Sequence, residues 1–275
     1  MNQEQKYFED SLEATLLVKP TKVSPSTINS FIETRSKWYM GKVAGVSAFV
    51  TSDYLQRGKG IENGLQCLLQ GGSEQDAVEV AAKELWNFQD TIPQDQIDKL
   101  KDYEFYMPQY LKCAWEHYSR YHFFKLQAAQ AVVEHQPDYC SFKLYGYVDF
   151  LYDRMWTDLK VLSRKPSGLT QGYSIQGAVY HLATNKPGIF TCLVRTNPKA
   201  GPQFNMYEEH LLKQPRPFEF WSNYLRMACI AMEGVYDCAQ SGDVDNLIKH
   251  MSFPNLDAYY GDNEINEAFA FWSKL

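Results

Sequence analysis

The stretch FKLYGYVDFLYDRMWTDLKVL, residues 142–162, decides how the chain folds. Phe142, Leu144, Gly146, Val148 and Phe150 alternate with Lys143, Tyr145, Tyr147 and Asp149, the period of a β-strand. A second alternating run covers residues 155–162. If Asp153 and Arg154 form a two-residue hairpin loop, the register sets Asp149 opposite Asp158. Opposed Cβ atoms in such a ladder lie about 4.5–5.5 Å apart. Two like charges at that spacing destabilise a sheet unless positive charge lies between them, and a hard divalent cation held by carboxylate oxygens meets that need. Asp158 and Lys160 are two apart and leave the same face of their strand. A slip of one residue would turn Asp149 to the other face.

Working outward, Ile28, Phe31 and Ile32 have helical spacing behind the cap residues Ser24-Pro25-Ser26, which predicts a helix over 26–40. Ile61, Leu65, Leu68 and Leu69 form one stripe of a second helix over 57–70, ended by Gly71-Gly72. Residues 74–90 and 108–134 also show helical periodicity, with Pro93 and Pro108 as breaks. Beyond the hairpin, 174–184 reads as a helix, 189–195 as an apolar strand, and 218–239 as a long helix packed through Phe220, Tyr224, Met227 and Ala231. Strands and helices in this order predict an α/β (α+β) fold, a sheet elaborated by early helices. No repeat, linker tract or charge block divides residues 1–275, so a single domain is expected, with a core at about 24–196 and a helical extension at about 197–275.

Composition bounds the function. The 275 residues are 45% hydrophobic and 15% aromatic, enough for a large core and incompatible with a disordered or collagen-like chain. No apolar run approaches the roughly 20 residues that span a bilayer, and the amino-terminal stretch has no apolar segment behind a basic flank, so the chain is expected to stay in the cytoplasm where it is made. The net charge of −6 argues against indiscriminate coating of nucleic acid while leaving room for a local basic groove. Six scattered cysteines without a CxxC pair read as reduced, mostly buried thiols.

Glu62 falls at the edge of its helix's apolar stripe, where a carboxylate must be paired or metal-bound, and Gly58, Gly60 and Gly64 allow close approach around it. An ordinary boundary glutamate bonded to a lysine is the competing reading. On the helix after the hairpin, Tyr173, Gln176 and Tyr180 form a polar edge that faces either a common site or plain solvent.

In order, these pieces read Ser24-Pro25-Ser26 opening a helix, GxGxE ending at Glu62, GYVD ending at Asp149, DLK from Asp158 to Lys160, and QGAVY from Gln176 to Tyr180. The combination resembles the PD-(D/E)XK nuclease superfamily, in its RecB-like branch of phage exonucleases, CRISPR-associated exonucleases and the mitochondrial genome maintenance exonuclease. The resemblance covers roughly residues 24–196. It implies a restriction-endonuclease-like mixed β-sheet flanked by helices and a metal-dependent exonuclease acting on single-stranded DNA or duplex ends in recombination, repair or degradation, in a phage or bacterial setting and alongside a recombination partner protein. Glu62, Asp149 and Asp158, with the backbone carbonyl of Leu159, would hold Mg2+ or Mn2+, and Lys160 would position or activate the attacking water. Gln176 and Tyr180, matching the branch's QxxxY motif, would place substrate beside the metal, with Tyr173 on the same edge.

Some relatives bind an iron–sulfur cluster through one early and three late cysteines. Here the early position reads Thr34-Arg35-Ser36 and no cysteine follows residue 238, so no cluster is expected, and aromatic side chains of the tail would close that gap. Arg35, Lys37, Trp38, Tyr39, Arg57 and Lys59 are candidate walls of a DNA groove, with the core as the competing place for Trp38 and Tyr39. Two other readings stand beside the nuclease: a non-catalytic DNA-binding or scaffold protein that keeps the fold, and a metal hydrolase with a non-nucleic substrate.

Overall fold

A computed structural model describes residues 19–42, 52–87 and 94–242. Its strands are β1 (Lys22–Val23), β2 (Leu126–His135), β3 (Lys143–Tyr152), β4 (Trp156–Leu162), β5 (Gly188–Thr196) and β6 (Gln203–His210). They form one mixed sheet in the order β1-β3-β4-β5-β6, with β2 also paired to β3. The β1–β3 and β4–β5 pairs are parallel and the others antiparallel.

The hairpin register agrees with the one expected from the Asp153-Arg154 loop. Phe150 faces Thr157 and Leu151 faces Trp156, and the Tyr152 N–H donates to the Met155 carbonyl at 2.8 Å to close the turn. Beyond these two pairs β3 and β4 part, and their separation makes room for the site.

The helices are α1 (Pro25–Glu33), α2 (Arg35–Lys42), α3 (Asp53–Leu69), α4 (Glu74–Leu85), α5 (Ile97–Phe105), α6 (Met107–Tyr118), α7 (Gln171–Thr184) and α8 (Phe218–Ser241). They flank the sheet in two layers. On one face α1, α2, α7 and α8 bury Phe31, Trp38, Ile175, Val179, Leu225 and Met232 against Val148, Trp156 and Phe190. On the other, α3 to α6 bury Ile61, Leu65, Ala81, Leu100 and Tyr110 against Phe150, Leu159 and Leu193.

Four expectations need correction. The helix over 26–40 is two helices, because Thr34 leaves helical geometry at φ −154° and ψ 86°. Ser24 caps the first through Thr27 N–H at 3.3 Å, with Pro25 in the first turn. The helix over 108–134 ends at Tyr118, and its second half is the strand β2. The strands β1 and β6 are additional. In α8 the packed face is Trp221, Leu225, Cys229, Met232 and Tyr236; of the expected stripe, Tyr224 and Ala231 pack at its border, whereas Met227 is 68% exposed and Phe220 41%. All six cysteines are free, three of them buried. The aromatic tail over 243–275 lies outside the described residues.

Candidate functional site

Where β3 and β4 part, the Asp149 carboxylate takes the place of a ladder partner: its Oδ2 accepts the Leu159 N–H at 2.7 Å. In an extended strand the N–H and C=O of one residue leave on the same side, so the Leu159 carbonyl faces the same split. The other oxygen, Oδ1, lies 3.5 Å from the Gln130 amide nitrogen. Asp158 is 1% exposed. Its Oδ2 accepts from Gln176 Nε2 at 3.0 Å, while its Oδ1 is held by Lys160 Nζ in a buried ion pair. Lys160 is held over the rings of Tyr173 and Phe190, at 5.3 and 5.8 Å from their centroids.

Glu62 reaches the same place from α3, its Oε1 buried and without a hydrogen bond. Burial and the negative charge of Asp158 push its carboxyl up to about 7, against a hydrogen bond to Asp149 and the ammonium groups of Lys160 and Lys59. Asp149 is raised well above the ordinary carboxylate range by burial and by the charges of Asp158 and Glu62. Asp158 is raised by burial despite Lys160. Burial opposes the charge on Lys160, yet Asp158 and Asp149 outweigh it and raise its pKa. Thus three carboxyl groups from a helix and two strands repel one another, with one ammonium among them.

The α7 residues form a bracket behind Asp158. Gln176 Nε2 also donates to the Tyr180 hydroxyl at 2.7 Å, and that hydroxyl donates to the Tyr147 carbonyl. The edge of the Tyr180 ring meets Gly146, where a Cβ would fall 2.5 Å from Cε1. That contact gives the glycine of the GYVD stretch its reason. Tyr180 is 2% exposed, and its hydroxyl ties Gln176 to the Tyr147 carbonyl. Tyr173, half-buried, stacks on Phe190.

The expected groove residues do not assemble. Trp38 and Tyr39 are core. Arg57 is 9% exposed and lies over the Tyr103 ring on the α5 side, and Arg35 over Phe31. The Lys37 side chain lies outside the described residues. Sequence reasoning missed Gln130, because the segment around it reads as helix and no motif marks it.

The donor set is hard oxygen, three carboxylates and the Leu159 carbonyl, the chemistry suited to Mg2+ or Mn2+. Glu62 Oε1, buried without a hydrogen bond, is an oxygen that a cation would bind. Among the described residues, however, no three His, Cys, Asp or Glu side chains form a ready metal-holding group. Lys160, seated on Asp158, supplies the positive charge there instead.

No protein-family model matches the chain, and no characterised protein matches it in sequence. Among solved structures, one described as "Crystal structure of SSO0001" is similar over 86% of this chain and 92% of that one, at 11% identity and a TM-score of 0.36, a likeness too distant to carry an argument. Among the described residues no helix is long and apolar enough to cross a membrane.

Proposed function

We propose that the chain is a divalent-cation-dependent nuclease with a restriction-endonuclease-like fold, hydrolysing DNA phosphodiester bonds, with exonuclease action on DNA ends in recombination or repair. The observation that carries this reading is the convergence of Glu62, Asp149 and Asp158 in one buried, mutually repelling cluster beside Lys160. A cluster of that charge costs folding free energy and is retained where its negative charge has a use. The mixed sheet, with both aspartates and the lysine on one hairpin, supports the same reading.

A bound Mg2+ or Mn2+ would acidify water and neutralise charge on the phosphate. The residues of this chain do the rest. Glu62, Asp149, Asp158 and the Leu159 carbonyl supply oxygen donors from three elements, so the geometry is set by the packing of α3 against the hairpin. Gln176 fixes one Asp158 oxygen and Lys160 holds the other. Lys160, fixed over two aromatic rings, offers a point charge for a non-bridging phosphate oxygen or for the attacking water.

A second reading, a DNA-binding protein that keeps the fold without catalysis, is favoured by the Lys160–Asp158 ion pair, in which the ammonium compensates part of the acidic charge. End-labelled single- and double-stranded DNA, incubated with the protein in Mg2+, in Mn2+ and in chelator, separates the two. Cleavage dependent on the ion supports the nuclease. Binding without cleavage in either ion overturns it.

A further inference from the structure

The β2–β3 ladder keeps one register through Ala129↔Phe150 and Ala131↔Val148, with no pair formed between them. Between these pairs, opposite Asp149, Gln130 has φ +50°. That is left-handed backbone, which disfavours residues with a Cβ and which glycine, asparagine or aspartate normally fills. Gln130 is none of these, and it is exposed, so its side chain gains no core contact in return.

The local consequence is large. Ala131 and Val148 are buried in the core under α1, α2, α7 and α8. One pair further along, Ala129 packs against the opposite core, under α3 to α6, and Phe150 is buried in it. An ordinary strand of period two would send Val148 and Phe150 to the same face. The ribbon therefore turns over at Gln130 and Asp149. Asp149 sits at the turning point, and its carboxylate reaches between the strands to the Leu159 N–H. The Gln130 amide donates to the remaining oxygen at 3.5 Å, the long limit of a hydrogen bond, which steers that oxygen and leaves it room for another partner. Strain of this kind, beside a cluster of buried carboxylates, is where backbone irregularities re-aim functional side chains.

We propose that Gln130 is a positioning residue of the acidic centre: its left-handed backbone aims Asp149 into the split between β3 and β4, and its amide orients Asp149 Oδ1 for a divalent cation. The inference rests on the proposed reading of the centre as a cation site.

Two substitutions test the amide, one with the backbone relaxed and one with it strained. Gln130→Gly removes the amide and suits the backbone; Gln130→Ala removes the amide and keeps the strain. The measurements are Mn2+ binding by calorimetry and thermal midpoint in chelator, on the full chain, with Glu62→Gln in parallel. Outer-shell partners of metal ligands typically contribute about 10–100-fold in affinity. Both Gln130 variants are expected to bind Mn2+ about ten-fold more weakly than wild type. The glycine variant should melt at or above the wild-type midpoint, so that its weaker binding is not a folding defect. If Glu62→Gln loses affinity while Gln130→Gly binds like wild type, the role of Gln130 is overturned and the cation site stands. If wild type binds no Mn2+, or Glu62→Gln binds as wild type does, the cation reading fails and takes this inference with it.

Discussion

Glu62→Gln offers a test of the site that needs no substrate. The Glu62 carboxyl has an ordinary pKa of 4.5 and is pushed up to about 7 in the folded protein, first by burial and then by the charge of Asp158. At pH below 4.5 the group is protonated in both the folded and the unfolded chain, and folding carries no charge penalty. As pH rises from 4.5 toward 7 the unfolded chain gives up the proton while the folded one keeps it, so stability falls through that window and levels off above it. At about 1.4 kcal/mol per pH unit, the loss assigned to this one group is about 3 kcal/mol, or about 6–12 °C in melting midpoint for a chain of this size. In chelator, thermal melts of wild type between pH 4.5 and 7.5 should fall relative to Glu62→Gln by that amount, because the amide does not ionise. Asp149 and Asp158 are raised too; the part of the Asp149 rise that comes from the Glu62 charge also disappears in Glu62→Gln, and it acts in the same direction. Parallel curves for the two proteins would refute the placement of Glu62 among the aspartates.

Three further outcomes follow from packing and capping. Gly146→Ala drives a Cβ to 2.5 Å from the Tyr180 ring, which is held by its hydroxyl and by edge contact with Trp156 at 5.3 Å; denaturant unfolding should show a loss of about 1–3 kcal/mol, and an unchanged midpoint would mean that Tyr180 is free to move. Ser73 forms a capping box with Asp76 at the start of α4, so Ser73→Ala should cost about 1 kcal/mol in the same assay. Asn185 ends α7 in left-handed backbone at φ +53°; Asn185→Ala should lower the melting midpoint, at a cost of about 1–2 kcal/mol, whereas Asn185→Gly should not.

The hairpin was legible because three constraints coincide there: alternation on both strands, a two-residue loop, and the pairing of Asp149 with Asp158 that the loop enforces. The observed Phe150–Thr157 and Leu151–Trp156 pairs keep that register, but the strands part before Asp149 and Asp158, and the Asp149 carboxylate accepts the Leu159 N–H in the split. Glu62 was legible as a carboxylate on an apolar edge, and the helices α3, α4 and α7 from their stripes and caps. The strand β2 was not. Its side chains enter one core at Ala131 and Val133 and the other at Ala129, so neither a period of two nor any face rule runs along it, and its alanines mimic a helix. The left-handed residue responsible, Gln130, is of a type that gives no warning. The packed face of α8 was misassigned because Phe220 and Met227 are large and apolar yet exposed, and apolar residues occur around much of that helix. Arg57 was taken for a groove residue on charge alone, whereas its guanidinium covers Tyr103, a contact between elements remote in sequence.

The most direct test is nucleotide release from end-labelled duplex DNA by wild type, Asp158→Ala and Lys160→Ala, each confirmed folded by its melting transition, in Mg2+ and in chelator. Release by wild type in Mg2+ alone, abolished in both variants, is the expected result. Equal release by wild type and Asp158→Ala, or none by wild type in either Mg2+ or Mn2+, would contradict it.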